Sequence, residues 1–429
     1  MNMNLAYGRT GLELELPDAA DVTVVEPTYV PGLPDQAAAL RRALQEPIAS
    51  PPLRDLAGPA DQIGIAFSDI TRPTPNDRML PILLDELTHV PVENITLFNG
   101  TGTHRPNTRE ELRGMLGEAI VDRYRILQND ADDRASHVLV GTTGGVRIES
   151  GNDIWLHQAF VACDVKILTG FIEPHFFAGF SGGGKAVMPG LALLETVRRN
   201  HSAQHLDHPR TRWGIREGNP LWDEIHEAAG MIAPTFLLNV TLNRDHEITG
   251  VFAGDWEEAH AQGCRFVKET AMVPVDHPFD IVITSNSGYP LDLNVYQSVK
   301  GMSAAAQVVK EGGSIIVAAE CWDGIPEHGG YGRLLSETHS VASLLETVRD
   351  PACKRQDTWQ GHIHGLVSQR ADVYFYSHHL TDEQIQDALL IPCHTIEETV
   401  TTLLERYGPE AAICVLPEGP QTVPYVRAA

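Results

Sequence analysis

Basic residues are scarce in this chain: 32 Lys plus Arg stand against 57 Asp plus Glu over 429 residues, a formal net charge of −25 at pH 7. A polyanion needs clustered cations that displace counterions from its phosphates, so this balance argues against nucleic acid as a partner. Long apolar runs are missing too, and nothing reaches the roughly 18 consecutive apolar residues of an ordinary transmembrane helix, so no membrane span is expected. The opening MNMNLAYGRTGLELELP has no basic region followed by an apolar one, so no secretory signal is read. Cysteine is sparse, with 6 residues at 163, 264, 321, 353, 393 and 414 and no C-x-x-C pair. That pattern excludes a zinc knuckle or a secreted disulfide framework and predicts reduced thiols in a cytoplasmic protein.

What is present is an ordinary globular composition, 42% hydrophobic and 21% charged, on a chain longer than a single core supports. Short apolar runs at Ile63 to Phe67, Ile95 to Phe98, Val165 to Thr169, Ile281 to Ser285, Ser314 to Ala319 and Ala412 to Leu416 alternate with helical patterns. This is the rhythm of an α/β fold whose mainly parallel sheets are flanked by helices. Thr108 with Glu111 three residues on predicts a capping box, and Leu191 to Arg199 reads as helical. Asn294 to Glu311 reads as a helix stopped by Gly312-Gly313, and Gly144-Gly145 as a turn between two short strands. Two prolines within Thr270 to Pro278 suggest a boundary. The expected division is an N-terminal domain over 1–272, with 408–429 packing back on it, and a C-terminal domain over 273–407, the active site lying in the cleft between them.

Ligands in open α/β sheets bind outside the carboxyl ends of strands. Four polar loops stand at that position: SDITRPTP after Phe67, NGTGTHRP after Phe98, GFIEPH after Thr169 and NSGYP after Ser285. The densest motif is Gly179-Phe-Ser-Gly182-Gly183-Gly184-Lys185-Ala186, with the G-x-x-x-x-G-K spacing of a phosphate-cradling loop. Ala186 stands where a triphosphatase needs a hydroxyl on Mg²⁺, so a mononucleotide phosphate fits and triphosphate hydrolysis does not. His201 and His205 are four apart, on one face if the helix continues, but Ser202 leaves no H-E-x-x-H motif, which disfavours a zinc protease. Tyr296, Gln297 and Lys300 cluster at the start of the helix after NSGYP.

At these residues the sequence resembles the nickel-pincer lactate racemase family, through SDITRPTP, GTHRP, GFIEPHFFAGFSGGGKAVMPG, Asn200-His201 and YQSVKG in order along nearly the whole chain. The resemblance implies a racemase or epimerase of a 2-hydroxycarboxylic acid, whether lactate-like, malate-like or a sugar acid. It implies nickel held in a pyridinium-3,5-bisthiocarboxylic acid mononucleotide that is covalently attached to Lys185 beside Gly182, Gly183 and Gly184, with His201 as the protein ligand. His104 and His175 become the acid/base pair, and Asp69, in the same loop as Arg72, a carboxylate that orients the Arg or the His. Arg72, Gln297, Lys300, Tyr296 and Trp359 become substrate-binding residues, and separate biosynthetic enzymes are implied to supply the cofactor. Arg72, Arg105, Lys185 and Lys300 would gather positive charge within an acidic protein, while His362, His364 and His378 are candidates to face a longer hydroxylated substrate. The competing readings are a metal-independent nucleotide or sugar-acid binder and, disfavoured by Ala186, a P-loop-like phosphotransferase.

Overall fold

The structure of the chain, a computed structural model, describes residues 1–17, 21–144, 151–326, 330–350, 352, 353, 355 and 357–427. Contacts divide it into two compact units, one of Tyr29–His201 with His208–Lys268, the other of Met1–Thr28, Ser202–Asp207 and Glu269–Ala429. Each is built on a six-stranded sheet flanked by helices.

In the first unit the strand order is Ile248–Gly254, Phe236–Leu242, Val165–Phe171, Ile63–Ser68, Ile95–Gly100 and Arg125–Gln128. Neighbours pair parallel except the edge pair Phe236–Leu242 with Ile248–Gly254. Ile63, Ile65, Phe67, Ile167 and Leu238 are buried together with Met79, Leu80 and Leu83 of helix Asn76–Glu86. Apolar side chains on both faces of a strand leave no surface for water, which is why these strands read as continuous apolar runs and not as alternating ones. From Ile63–Ser68 the chain steps outward to Ile95–Gly100 and Arg125–Gln128, then returns on the other side as Val165–Phe171. Loops leaving the carboxyl ends diverge at such a reversal, and Asp69, His104 and His175 all sit on those loops.

In the second unit the order is Ile391–Pro392, Asp372–Tyr376, Val309–Ala318, Phe279–Ser285, Ala412–Leu416 and Asp21–Val24, all parallel. The closing segment, expected to pack back on 1–272, belongs to this second unit together with Met1–Thr28. Ala412–Leu416 pairs with Phe279–Ser285 and Asp21–Val24, and Val423–Val426 pairs with Met272–Val275. A five-residue strand buried on every position needs a neighbour on each edge, and the second sheet supplies both. The helix read as reaching Glu311 ends earlier: it spans Val295–Ala305, and strand Val309–Ala318 follows with Gly312 at φ +73° inside it, so the Gly pair bends a strand and does not cap a helix. Helix Arg109–Leu116 opens on the reciprocal Thr108–Glu111 capping box. Strands His137–Thr142 and Asp153–His157 pair antiparallel; of the turn read between them, Gly145 lies outside the described residues.

Candidate active site

Strand end, loop and helix start place the first group. Asp69 follows Ile63–Ser68 directly and is buried, its carboxylate accepting from Thr71 Oγ1 at 2.9 Å and facing His104 Nδ1 at 2.8 Å. Burial alone would raise the Asp69 pKa, but the His104 contact and the nearby Arg72 guanidinium outweigh it and hold the carboxyl below its usual range. An ionised carboxylate on Nδ1 selects the imidazole tautomer protonated there, which leaves the His104 lone pair on Nε2.

The second group surrounds one ring. Phe177 lies in the short hairpin formed by Pro174–His175 and Gly179–Phe180. His175 meets it edge-on with centroids 4.6 Å apart, His201 meets it edge-on at 5.0 Å, and Lys185 Nζ stands 5.8 Å from its centroid. His175 Nδ1 accepts from the amides of Ala178 at 3.2 Å and Phe177 at 3.5 Å. His201, buried at the end of helix Leu194–Asn200, has Nδ1 3.1 Å from the Val197 carbonyl; Nδ1 must carry the proton to meet it. Lys185 is half-buried, and its amine is desolvated. That burial, with Arg72 adding repulsion and Glu173 opposing it, brings its pKa down to about 7.

The glycines before Lys185 form no helix start. Gly183–Ala186 is a single 3-10 turn, with Gly182 at φ +77° and Gly183 at φ +57°. A Cβ on Gly182 would lie 2.5 Å from Asn239 Oδ1, and one on Gly183 2.7 Å from His260 Cγ, so both positions require glycine for space as well as backbone. His205 does not share a face with His201: the chain turns at Ser202, and His205 lies in the separate helix Ala203–Leu206. Arg105 does not join the positive group. Its guanidinium pairs with Glu111 at 2.6 and 2.9 Å, and this holds the Glu111 carboxyl at about 2.

In the second unit, Asn294 caps helix Val295–Ala305 by accepting from the Gln297 amide at 3.0 Å, and Tyr296, Gln297 and Lys300 are half-buried on its first turns. Tyr296 is tied to helix Thr358–Arg370, because Gln360 Nε2 donates to its carbonyl at 2.5 Å; Trp359 is buried on that helix. The C-terminal histidines are engaged elsewhere. His364 is fully buried, with Nδ1 2.8 Å from the Tyr331 hydroxyl, and so cannot face a substrate. His362 Nε2 lies 2.8 Å from Asp207, and His378 Nε2 lies 2.8 Å from the Tyr376 hydroxyl.

Composition and spacing did not single out Phe177, Asn239, His260 or Glu224. Glu224 is buried and accepts from Thr143 Oγ1 at 3.0 Å, Asn152 Nδ2 at 3.1 Å and Asn200 Nδ2 at 2.9 Å, fixing the residue before His201. The lone signal for it was a carboxylate at a helical position where an apolar residue would be expected. Among the described residues no helix is long and apolar enough to cross a membrane.

Residues 7–214 match the family model of the lactate racemase N-terminal domain and residues 275–423 that of the lactate racemase C-terminal domain. A lactate racemase of Thermoanaerobacterium thermosaccharolyticum is 35% identical over 97% of this chain and 98% of its own length. One of Lactiplantibacillus plantarum is 36% identical over 97% and 98%. The solved structure of the lactate racemase apoprotein from Thermoanaerobacterium thermosaccharolyticum superimposes with a TM-score of 0.91, 33% identity and full coverage of both chains. A Thermotoga maritima protein of solved structure shares the fold at 19% identity and a TM-score of 0.68, over 93% of this chain and all of that one. The chain belongs to the lactate racemase family and is an isomerase of the racemase class acting on a hydroxy acid.

Proposed function

We propose that the chain racemises a short 2-hydroxycarboxylate, lactate as in its named relatives or a close analogue, with a nickel-pincer mononucleotide joined to Lys185. The observation that carries this reading is the Lys185 amine. With its pKa at about 7, roughly half of it is neutral at pH 7 where about 1 in 3000 of an ordinary lysine would be. Only a neutral amine can form a thioamide bond. His201 suits a single metal ligand, because a ring that donates from Nδ1 to Val197 carries its lone pair on Nε2, the atom through which it would meet a metal. Among the described residues no three His, Cys, Asp or Glu side chains are grouped to hold a metal ion. A pincer that brings two sulfurs and a carbon asks the protein for only one ligand. The small, tightly backed Gly182, Gly183 and Gly184 suit the close approach of a mononucleotide.

When bound, the cofactor supplies an acceptor for hydride from Cα and a donor that returns it. The protein residues handle charge and protons. Arg72, Gln297 and Lys300 are read as binding the substrate carboxylate, and Tyr296 and Trp359 as shaping the pocket. Arg suits a carboxylate because its planar fork matches the two oxygens. His104, with its lone pair on Nε2 and Asp69 behind it, takes the hydroxyl proton, and Asp69 stabilises the imidazolium that results. Once Cα is planar its other face can be presented, and His175 on that side supplies the proton. Opposite configurations present their hydroxyls on different sides, so one histidine cannot serve both. The two are unequal: for His175 to accept a proton on Nε2 its ring must give up the amide contacts on Nδ1, whereas His104 gives up nothing.

Co-expression with cofactor-making enzymes tests this reading. Expected are added mass on the Lys185 peptide, one nickel per chain, and loss of optical rotation from a single lactate enantiomer. Racemisation by a chain with unmodified Lys185 and no nickel would overturn it.

A further inference from the structure

The loop that carries Lys185 is fixed from behind by residues drawn from distant parts of the chain. His260, on helix Trp256–Ala271, is 2% exposed, and its Nε2 lies 2.8 Å from the Ser181 carbonyl. A carbonyl only accepts, so Nε2 carries the proton and Nδ1 the lone pair; the Cys264 thiol lies 3.7 Å from Nδ1 and 3.5 Å from Nε2. Trp222 stacks on the imidazole at 5.2 Å and 17°, and Gly183 lies so near that a Cβ there would come within 2.7 Å of the His260 Cγ. On strand Phe236–Leu242, Asn239 Oδ1 accepts from the Gly183 amide at 2.9 Å, while Asn239 Nδ2 donates to the Leu238 carbonyl at 3.0 Å. Ser181 and Gly183, four and two residues before Lys185, are thereby both pinned.

We propose that His260 and Asn239 are positioning residues for Lys185: they hold its loop in the one conformation that keeps the amine inside the protein and ready for acylation. This rests on the reading of Lys185 as the attachment point. Burial takes the His260 pKa down to about 3, with Arg216 and His226 pushing the same way, so the imidazole stays neutral and the Nε2–H bond to Ser181 persists throughout the working pH range. A charged imidazole would need a second acceptor, and burial raises the Cys264 thiol to about 12, so the thiol stays protonated and remains a donor. Lys185 depends on this frame because its depressed pKa comes mainly from desolvation, which a loosened loop would relieve by admitting water.

Acylation of the apo chain by acetic anhydride, followed by peptide mass spectrometry at Lys185 with the exposed Lys268 as reference, tests the proposal between about pH 5 and about pH 9. The wild-type Lys185 profile should have its midpoint at about 7. His260→Phe keeps the ring and loses the donor, and should raise the midpoint by about one unit and slow acylation at pH 7 roughly tenfold, with Lys268 unchanged. His260→Gln restores an N–H donor and should recover the rate to within about twofold. Asn239→Leu, which removes the acceptor on the opposite side, should shift the profile in the same direction. It serves as the deciding variant if the His260→Phe melting curve shows misfolding. Profiles of the folded variants that superimpose on a wild-type midpoint at about 7 would overturn the positioning role alone. A wild-type Lys185 that titrates like Lys268 would overturn both this role and the attachment reading.

Discussion

Replacing Asp69 by Asn removes a charge beside His104 while keeping the size of the side chain. The carboxylate lies 2.8 Å from Nδ1, and the His104 side chain is 44% exposed. Two unit charges about 4 Å apart are worth ~4 kcal/mol at an effective dielectric near 20. Solvent screening of a half-exposed imidazole reduces this to ~2 kcal/mol, or roughly 30-fold in kcat. A second effect has the same sign. An Asn amide can turn its NH2 toward Nδ1, which moves the imidazole proton to Nε2 and blocks the atom that accepts from substrate. Asp69 bonds His104 directly and acts on Arg72 only through its charge, so kcat should fall by more than KM changes. The assay is chiral chromatography of lactate racemised by the loaded enzyme, normalised to Lys185 modification measured by intact mass. An Asp69→Asn enzyme with equal loading and wild-type kcat would refute the dyad.

Two predictions concern the frame around the site. Glu224→Ala strands three donors, from Thr143, Asn152 and Asn200, and should cost ~3 kcal/mol or more in denaturant unfolding; a loss below about 1 kcal/mol would contradict that buried network. Asp207 accepts from Arg349 at 2.8 and 2.9 Å and from His362 at 2.8 Å; burial opposes ionisation, but these partners hold its pKa below the usual carboxylate range. A depressed folded-state pKa gives stability that is present above the unfolded value and lost as pH falls through the folded one. Asp207→Asn should therefore lower Tm by ~2–4 °C at pH 7, with the gap to wild type closing below about pH 4. A gap that widens in acid would reverse the sign of the coupling.

Signals that act over a few residues were legible in the sequence. The Thr108–Glu111 capping box, the buried strands such as Ile63–Ser68 and the strand-end loops bearing Asp69, His104 and His175 depend on neighbours one to four positions apart. Fully buried strands look alike whichever sheet they join, so the sequence left open where Ala412–Leu416 would pair. The Gly312-Gly313 pair, a helix stop by local rule, became a bend in a strand because pairing with Phe279–Ser285 outweighed the local preference. At the site, the motif placed a lysine after three glycines. Only the tertiary structure decided that its amine is desolvated beside Arg72 and that Phe177 gathers Lys185, His175 and His201 around one ring. The loop is held by Asn239 and His260, 56 and 79 positions away from the residues they hold. Residue type sets what a group can do chemically, but its charge state and orientation depend on burial and partners, and those are contributed by segments that only folding brings together.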